Sequence, residues 1–197
     1  MNSLSPITRT LIIANVGAYF VQMWSPESTL YQFALWPWGT PLFHVWQPVT
    51  YAFLHGGLAH LFFNMFGLYM FGPEIERVLG SQRYLIYYFS CVIGAAALHL
   101  IVTPLMGGML APTLGASGGV FGVLLAFGML FPQRRIMLLL PPIPMPAWLF
   151  VTLYGLAELA MGVFGTVQGV AHFAHLGGML AGFLLLIFWR VPRPKYF

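Results

Sequence analysis

Aspartate is missing from the 197 residues, and glutamate occurs only at 27, 74, 76 and 158. A Ser-His-Asp triad is therefore excluded; any serine chemistry here has to rest on a dyad, or on Glu158 as a third group. Cysteine occurs once, at 91, so no internal disulfide can form, and a thiol inside an apolar run reads as a small buried side chain. No His-Glu-x-x-His motif is present, and His55 and His60 are five apart, off a common helical face. No metal and no cofactor are expected. Charge is the largest deficit: 6% of the residues carry it, against roughly a quarter in an ordinary soluble domain.

What fills the gap is hydrocarbon, with 59% of the chain hydrophobic. A bilayer crossing takes about 20 mostly apolar residues. Six runs approach it: Ile7 to Trp24, Leu58 to Gly72, Tyr84 to Thr103, Gly115 to Phe131, Pro146 to Phe164 and His172 to Trp189. The second is interrupted by Pro73 and Glu74, although its helix can run on to Leu79. These runs lack the polar faces of helices around a soluble core. The fold class that follows is an all-α polytopic membrane protein of six transmembrane helices, one domain over 1–197.

The eight cations set its orientation. Arg9, Arg77, Arg83, Arg134, Arg135, Arg190, Arg193 and Lys195 all fall on one side of the six crossings, and Ser25 to Gly57, Pro104 to Leu114 and Gly165 to Ala171 hold no Lys or Arg. Both termini are expected to be cytoplasmic, with the first span a retained anchor rather than a cleaved signal. The net charge of +4 expresses this bias, and cations spread over four places make no nucleic-acid footprint.

Polar residues within the spans are few. His60 and Asn64 are four apart in the second, one turn from each other on one face. The fourth begins Gly115-Ala116-Ser117-Gly118-Gly119; the form matches the nucleophile elbow of soluble hydrolases without its strand, and the glycines equally suit close helix packing. Glu158 lies in the fifth span, where an intramembrane acid marks a functional, solvent-facing or packing position. The sixth opens with His172 and His175 and continues to Gly178 and Gly182, a small-xxx-small face. Before the second span comes a long segment carrying Trp36, Trp38, Trp46 and Tyr51, rings that favour the headgroup level and so predict a loop lying in the outer leaflet.

Spans two, four and six run the same way, so His60, Asn64, Ser117 and His175 share one depth near the outer surface. His175 can take the Ser117 proton, while His60, Asn64 and the Ser117 amide can meet an oxyanion, each donor worth on the order of 3 kcal/mol. A small transporter or channel with an outer polar cluster would use the same layer without covalent chemistry.

These residues resemble the rhomboid family of intramembrane serine proteases: His60-x-x-x-Asn64, Gly115-Ala116-Ser117-Gly118, and Ala174-His175 with Gly178-x-x-x-Gly182, in this order over six spans. The resemblance covers essentially the whole chain and looks like the compact bacterial form, which implies residence in the bacterial inner membrane with the site toward the outside. It implies Ser117 as nucleophile, His175 as general base and acid in a Ser-His dyad, an oxyanion hole of His60, Asn64 and the Ser117 amide, and helix packing at the site by Gly115, Gly118, Gly178 and Gly182. Partners would be membrane lipid and single-span transmembrane substrates, cut near the outer end of their helix after a small residue. They would arrive laterally past span five, beneath a cap formed by Gly165 to Ala171. A catalytically inert relative acting as a binder shares these motifs. Two positions depart from the family pattern: Trp46-Gln47 stands where Trp-Arg is usual, and Phe121 where many relatives stack a tyrosine on the catalytic histidine.

Overall fold

The computed structural model describes residues 4–106, 111–137, 142–165 and 171–194. Lys195 and most of the expected cap, residues 166–170, lie outside the described residues. Among the described residues six longer helices account for most of the chain: α1 (Pro6–Trp24), α4 (Leu58–Leu79), α5 (Ser81–Leu105), α6 (Ser117–Leu130), α7 (Ala147–Phe164) and α8 (His172–Phe188). Two short helices, α2 (Pro26–Phe33) and α3 (Gln47–Thr50), sit in the connection between α1 and α4. The α6–α7 connection is a small antiparallel ribbon, β1 (Arg135–Met137) with β2 (Pro144–Pro146), pairing Ile136 with Met145. Two of the helices, α5 and α7, are by length and composition sufficient to cross a membrane; α6 and α8 are apolar but shorter than 18 residues.

The helix order is built around α6. Ten of its fourteen residues are buried, whereas α7 turns only Ala147, Val151 and Glu158 inward. Large apolar side chains cover the outside instead, with Phe20, Phe63, Phe164 and Phe188 more than half exposed. Such a shell finds its solvent in lipid.

Close approach of α5, α6 and α8 follows from their small residues. A Cβ on Gly178 would collide with the Gly118 carbonyl, one on Gly122 with Cys91 Sγ, and one on Gly94 with Ala181. Tyr87 Oη then donates to the Gly122 carbonyl at 2.7 Å, and Cys91 packs fully buried between the helices.

At the cationic end, buried Glu76 of α4 solves the problem of where α1 begins. The first N–H groups of a helix have no intrahelical partner. The Glu76 carboxylate accepts from the amides of Ile7 (3.0 Å) and Thr8 (2.9 Å), and from the hydroxyls of Ser5, Thr8 and Ser81, tying α1 to α4 and α5. Glu74 lies beside Arg77 (3.1 Å) and Arg134 (3.2 Å).

The first connection is an ordered platform whose anchor is Gln47, fully buried. Its Nε2 donates to the Leu42 carbonyl at 2.8 Å and reaches those of Gln32 and Tyr31 at 3.4 and 3.5 Å, while Oε1 accepts the Trp36 amide at 3.3 Å. A neutral amide thus gathers the loop carbonyls at the position where the family pattern has arginine. Gln47→Leu strands those groups at about 1–3 kcal/mol for each one left buried and unpaired. Its unfolding midpoint in detergent is expected to fall by roughly 5–10 °C, measured by thermal unfolding.

Candidate active site

Ser117 is the first residue of α6, and the chain reaches it through Gly115. Gly115 has φ +131°, and a Cβ there would meet the His60 ring at 2.8 Å, so the strand of backbone before Ser117 passes directly against that imidazole. Four bonds hold this approach. The Gly115 amide donates to the Tyr51 carbonyl (3.0 Å), Leu35 and Thr113 exchange backbone bonds (2.9 Å each), and Thr113 Oγ1 lies 2.6 Å from His99 Nε2. The platform loop and α5 therefore fix where α6 starts.

Ser117 Oγ lies 2.9 Å from His175 Nε2. The contact exists because Gly178, one turn further along α8, lets that helix ride on the Gly118 carbonyl. Phe121 stacks on His175, ring centroids 4.2 Å apart and planes within 6°, one turn along α6 from the serine. Stacking on the imidazole is thus made by Phe121 without a hydroxyl. Gly182 packs on Tyr87 and Cys91, about two turns along α8 from His175.

His60 Nδ1 accepts the Gly56 amide at 3.3 Å, which leaves the proton of a neutral ring on Nε2, the nitrogen turned toward Gly115. Asn64 is buried one turn below, its Nδ2 donating to the His60 carbonyl at 3.0 Å with a second amide hydrogen left over. The Ser117 amide, at the first position of α6, belongs to the N–H groups that a helix start leaves unpaired, at the positive end of the helix dipole. His55 is buried beside His60, ring centroids 5.1 Å apart, and Gln22 clamps its backbone, Nε2 donating to the His55 carbonyl at 2.8 Å and Oε1 accepting the His55 amide at 2.9 Å.

From the sequence Glu158 is an alternative third group and His172 has no assigned role. In the structure Glu158 Oε2 lies 2.8 Å from His175 Nδ1 and 2.7 Å from His172 Nδ1. Ser117, His175 and Glu158 are thus joined in hydrogen-bonded series, with His172 on the same carboxylate oxygen. A signal for this was available: His172 and His175 are three apart and so share a face at the start of span six, where they can converge on one acceptor.

Glu158, His172 and His175 present ligand-type atoms within 4.8 Å of one another. A tetrahedral ion with bonds near 2.1 Å would hold its ligands roughly 3.4 Å apart. Separations of 2.7 and 2.8 Å are those of hydrogen bonds.

Fold and site together define a helical membrane protein in which a serine hydroxyl, an imidazole and a carboxylate are linked by successive hydrogen bonds. A family model described as the Rhomboid domain matches residues 42–191, and the chain belongs to the rhomboid family. It is 35% identical over 146 residues to Rhomboid protein 1, mitochondrial, of Saccharomyces cerevisiae, covering 72% of this chain and 40% of that protein. It is 28% identical over 152 residues to Rhomboid protease GluP of Bacillus subtilis, 77% of this chain and 27% of that one. With Rhomboid protease GlpG of Yersinia pestis the identity is 25% over 187 residues, 93% and 62%. The chain thus spans less than two thirds of the length of each of these relatives. Members of the family are integral membrane proteins, which accounts for the exposed aromatic and aliphatic shell.

Proposed function

We propose that this chain is an intramembrane serine endopeptidase that cuts single-span membrane proteins in or near the outer end of their transmembrane helix. One observation carries the reading: the 2.9 Å contact between Ser117 Oγ and His175 Nε2, side chains 58 positions apart in sequence and on different helices. A serine hydroxyl is a weak nucleophile until a base receives its proton. Ser117 Oγ adds to the scissile carbonyl carbon while its proton passes to His175 Nε2, and the carbonyl π electrons move to oxygen. That oxyanion meets the Ser117 amide, His60 Nε2–H and the spare amide hydrogen of Asn64. Collapse breaks the C–N bond, the leaving amine takes the proton from His175, and the acyl group stays on Ser117. Water then adds to the acyl carbon, giving its proton to His175, and the proton returns to Oγ as the acid leaves.

The six longer helices are the membrane crossings, with the loop of α2 and α3 seated in the outer leaflet. The described cations lie at the ends of the helices remote from Ser117, so that side is cytoplasmic and the site faces outward. Substrate helices come from the lipid, and a peptide bond inside a helix is shielded, so helix-breaking residues near the cut favour cleavage.

The test is a model single-span substrate in liposomes, with labelling by a fluorophosphonate probe. Wild type is expected to produce two fragments and to carry the label; Ser117→Ala is expected to do neither. Equal labelling of both, or cleavage that survives Ser117→Ala, overturns the reading.

A further inference from the structure

Building on that reading, we propose that Glu158 is a positioning residue that, anchored by His172, holds His175 in the tautomer and orientation a general base needs. The protein then works with the series Ser117, His175, Glu158, with His172 as the second support of the carboxylate.

The geometry leaves little choice of proton placement. An ionised carboxylate only accepts hydrogen bonds. Because Glu158 Oε2 lies 2.8 Å from His175 Nδ1 and 2.7 Å from His172 Nδ1, both Nδ1 atoms carry their hydrogens. In a neutral ring that leaves the lone pair of His175 on Nε2, the atom 2.9 Å from Ser117 Oγ. The other tautomer would put a hydrogen between Nε2 and the hydroxyl, and proton acceptance from serine would stop. During acylation His175 gains a proton, and a carboxylate in contact with Nδ1 stabilises the resulting imidazolium where little water is present to do so.

The rest of α7 is shaped to deliver this one group. Gly155 and Gly162 flank Glu158 at i−3 and i+4, on the same helical face. A Cβ at Gly155 would lie 3.2 Å from Met179 and one at Gly162 would lie 3.2 Å from His172, so the small residues let α7 sit close against α8 on either side of the acid. Glu158 is 3% exposed, and a buried carboxylate is tolerated only when its oxygens are bonded. His172, at the first position of α8 with its ring edge-on to His175 (87°), supplies the second bond and fixes the aim of the oxygen.

Glu158→Gln keeps the side-chain volume, removes the charge, and offers an amide donor that favours the wrong tautomer. With the liposome substrate, kcat is expected to fall about 10²- to 10⁴-fold with KM within twofold. His172→Phe, which keeps a ring but loses Nδ1–H, is expected to lower kcat about tenfold with KM again unchanged. Nitrogen-15 spectra of histidine-labelled wild type should show His175 protonated at Nδ1 and bare at Nε2. A Glu158→Gln protein with kcat within threefold of wild type overturns the proposal, as does a wild-type spectrum with the His175 proton on Nε2; the spectrum decides even if the variant fails to fold. An active Glu158→Gln protein leaves the Ser117 reading intact, and wild-type cleavage with Ser117 labelling upholds that reading whichever nitrogen of resting His175 carries the proton. Absence of cleavage and of Ser117 labelling in wild type strikes that reading instead.

Discussion

His175→Ala is expected to cut substrate about 10⁴-fold or more slowly than wild type, at unchanged substrate affinity. Without the imidazole, the Ser117 hydroxyl must give up its proton to water in a site lined by Phe121, Gly115 and the helix backbones. What survives is the oxyanion donors and substrate binding, which alone sustain a small residual rate. The alanine leaves Glu158 bonded to His172 at 2.7 Å, so the carboxylate keeps a partner and the fold has no new buried charge to accommodate. Cleavage rate and thermal unfolding, measured side by side, separate the two effects. A rate within tenfold of wild type in a folded His175→Ala protein would mean that another group accepts the serine proton.

The second large effect is expected from a single methyl group. Gly178→Ala places a Cβ on the carbonyl of Gly118, and a backbone carbonyl cannot rotate out of the way as a side chain can. Helices α6 and α8 then have to part by roughly 1 Å or more to restore van der Waals distance. Since those helices carry Ser117 and His175, the same movement opens their 2.9 Å contact. Misplacement on that scale typically costs about 100-fold in rate, and overpacking a tight interface a further 1–3 kcal/mol of stability. Gly178→Ala should therefore lose both activity and several degrees of unfolding midpoint. The control is Gly17 in α1, where a Cβ would have nothing within 4 Å. There alanine should raise the midpoint by about 2–4 °C, through better helix propensity alone. If Gly178→Ala behaves like Gly17→Ala, the close seat of α8 on α6 is not what aligns the site.

How much of this was legible beforehand depends on the length scale of the signal. Helices α1, α5, α7 and α8 begin and end within a few residues of the apolar runs, because each run is long and its flanks are polar, glycine or proline. Helix α4 continues through Pro73 to Leu79; a proline removes one bond, and twenty-two residues of packed helix outweigh it. Helix α2 falls in the segment that reads as a loop, although Ser25-Pro26-Glu27 carries the marks of a helix start, with proline at the first position and an acid in the first turn. The ribbon of β1 and β2 has no periodicity to announce it, being three residues a side. Helix direction and order bring positions 60, 64, 117 and 175 to one depth. They leave the facing of Glu158 open: it is the twelfth of the eighteen residues of α7, toward the end that leads to α8, and meets His175 only through the rotation of α7 about its axis. Gln47 is a similar case: read from the sequence it is a departure from Trp-Arg, and only the fold reveals four backbone groups converging on its amide.

The brevity of α6 sets a measure on what the enzyme proposed here can reach. Fourteen residues rise about 21 Å, some 9 Å short of a hydrocarbon layer about 30 Å thick. In the topology proposed above, Arg134 just beyond its C-terminal end would hold that end among the headgroups, and the whole shortfall would fall at the other, where Ser117 stands. On that reading the proposed nucleophile would stand below the outer surface by the rise of about six helical residues. A substrate lying alongside at equal depth would present a bond about that many positions inside its own span, so moving a susceptible sequence along a host helix should shift cleavage efficiency as a vernier of depth.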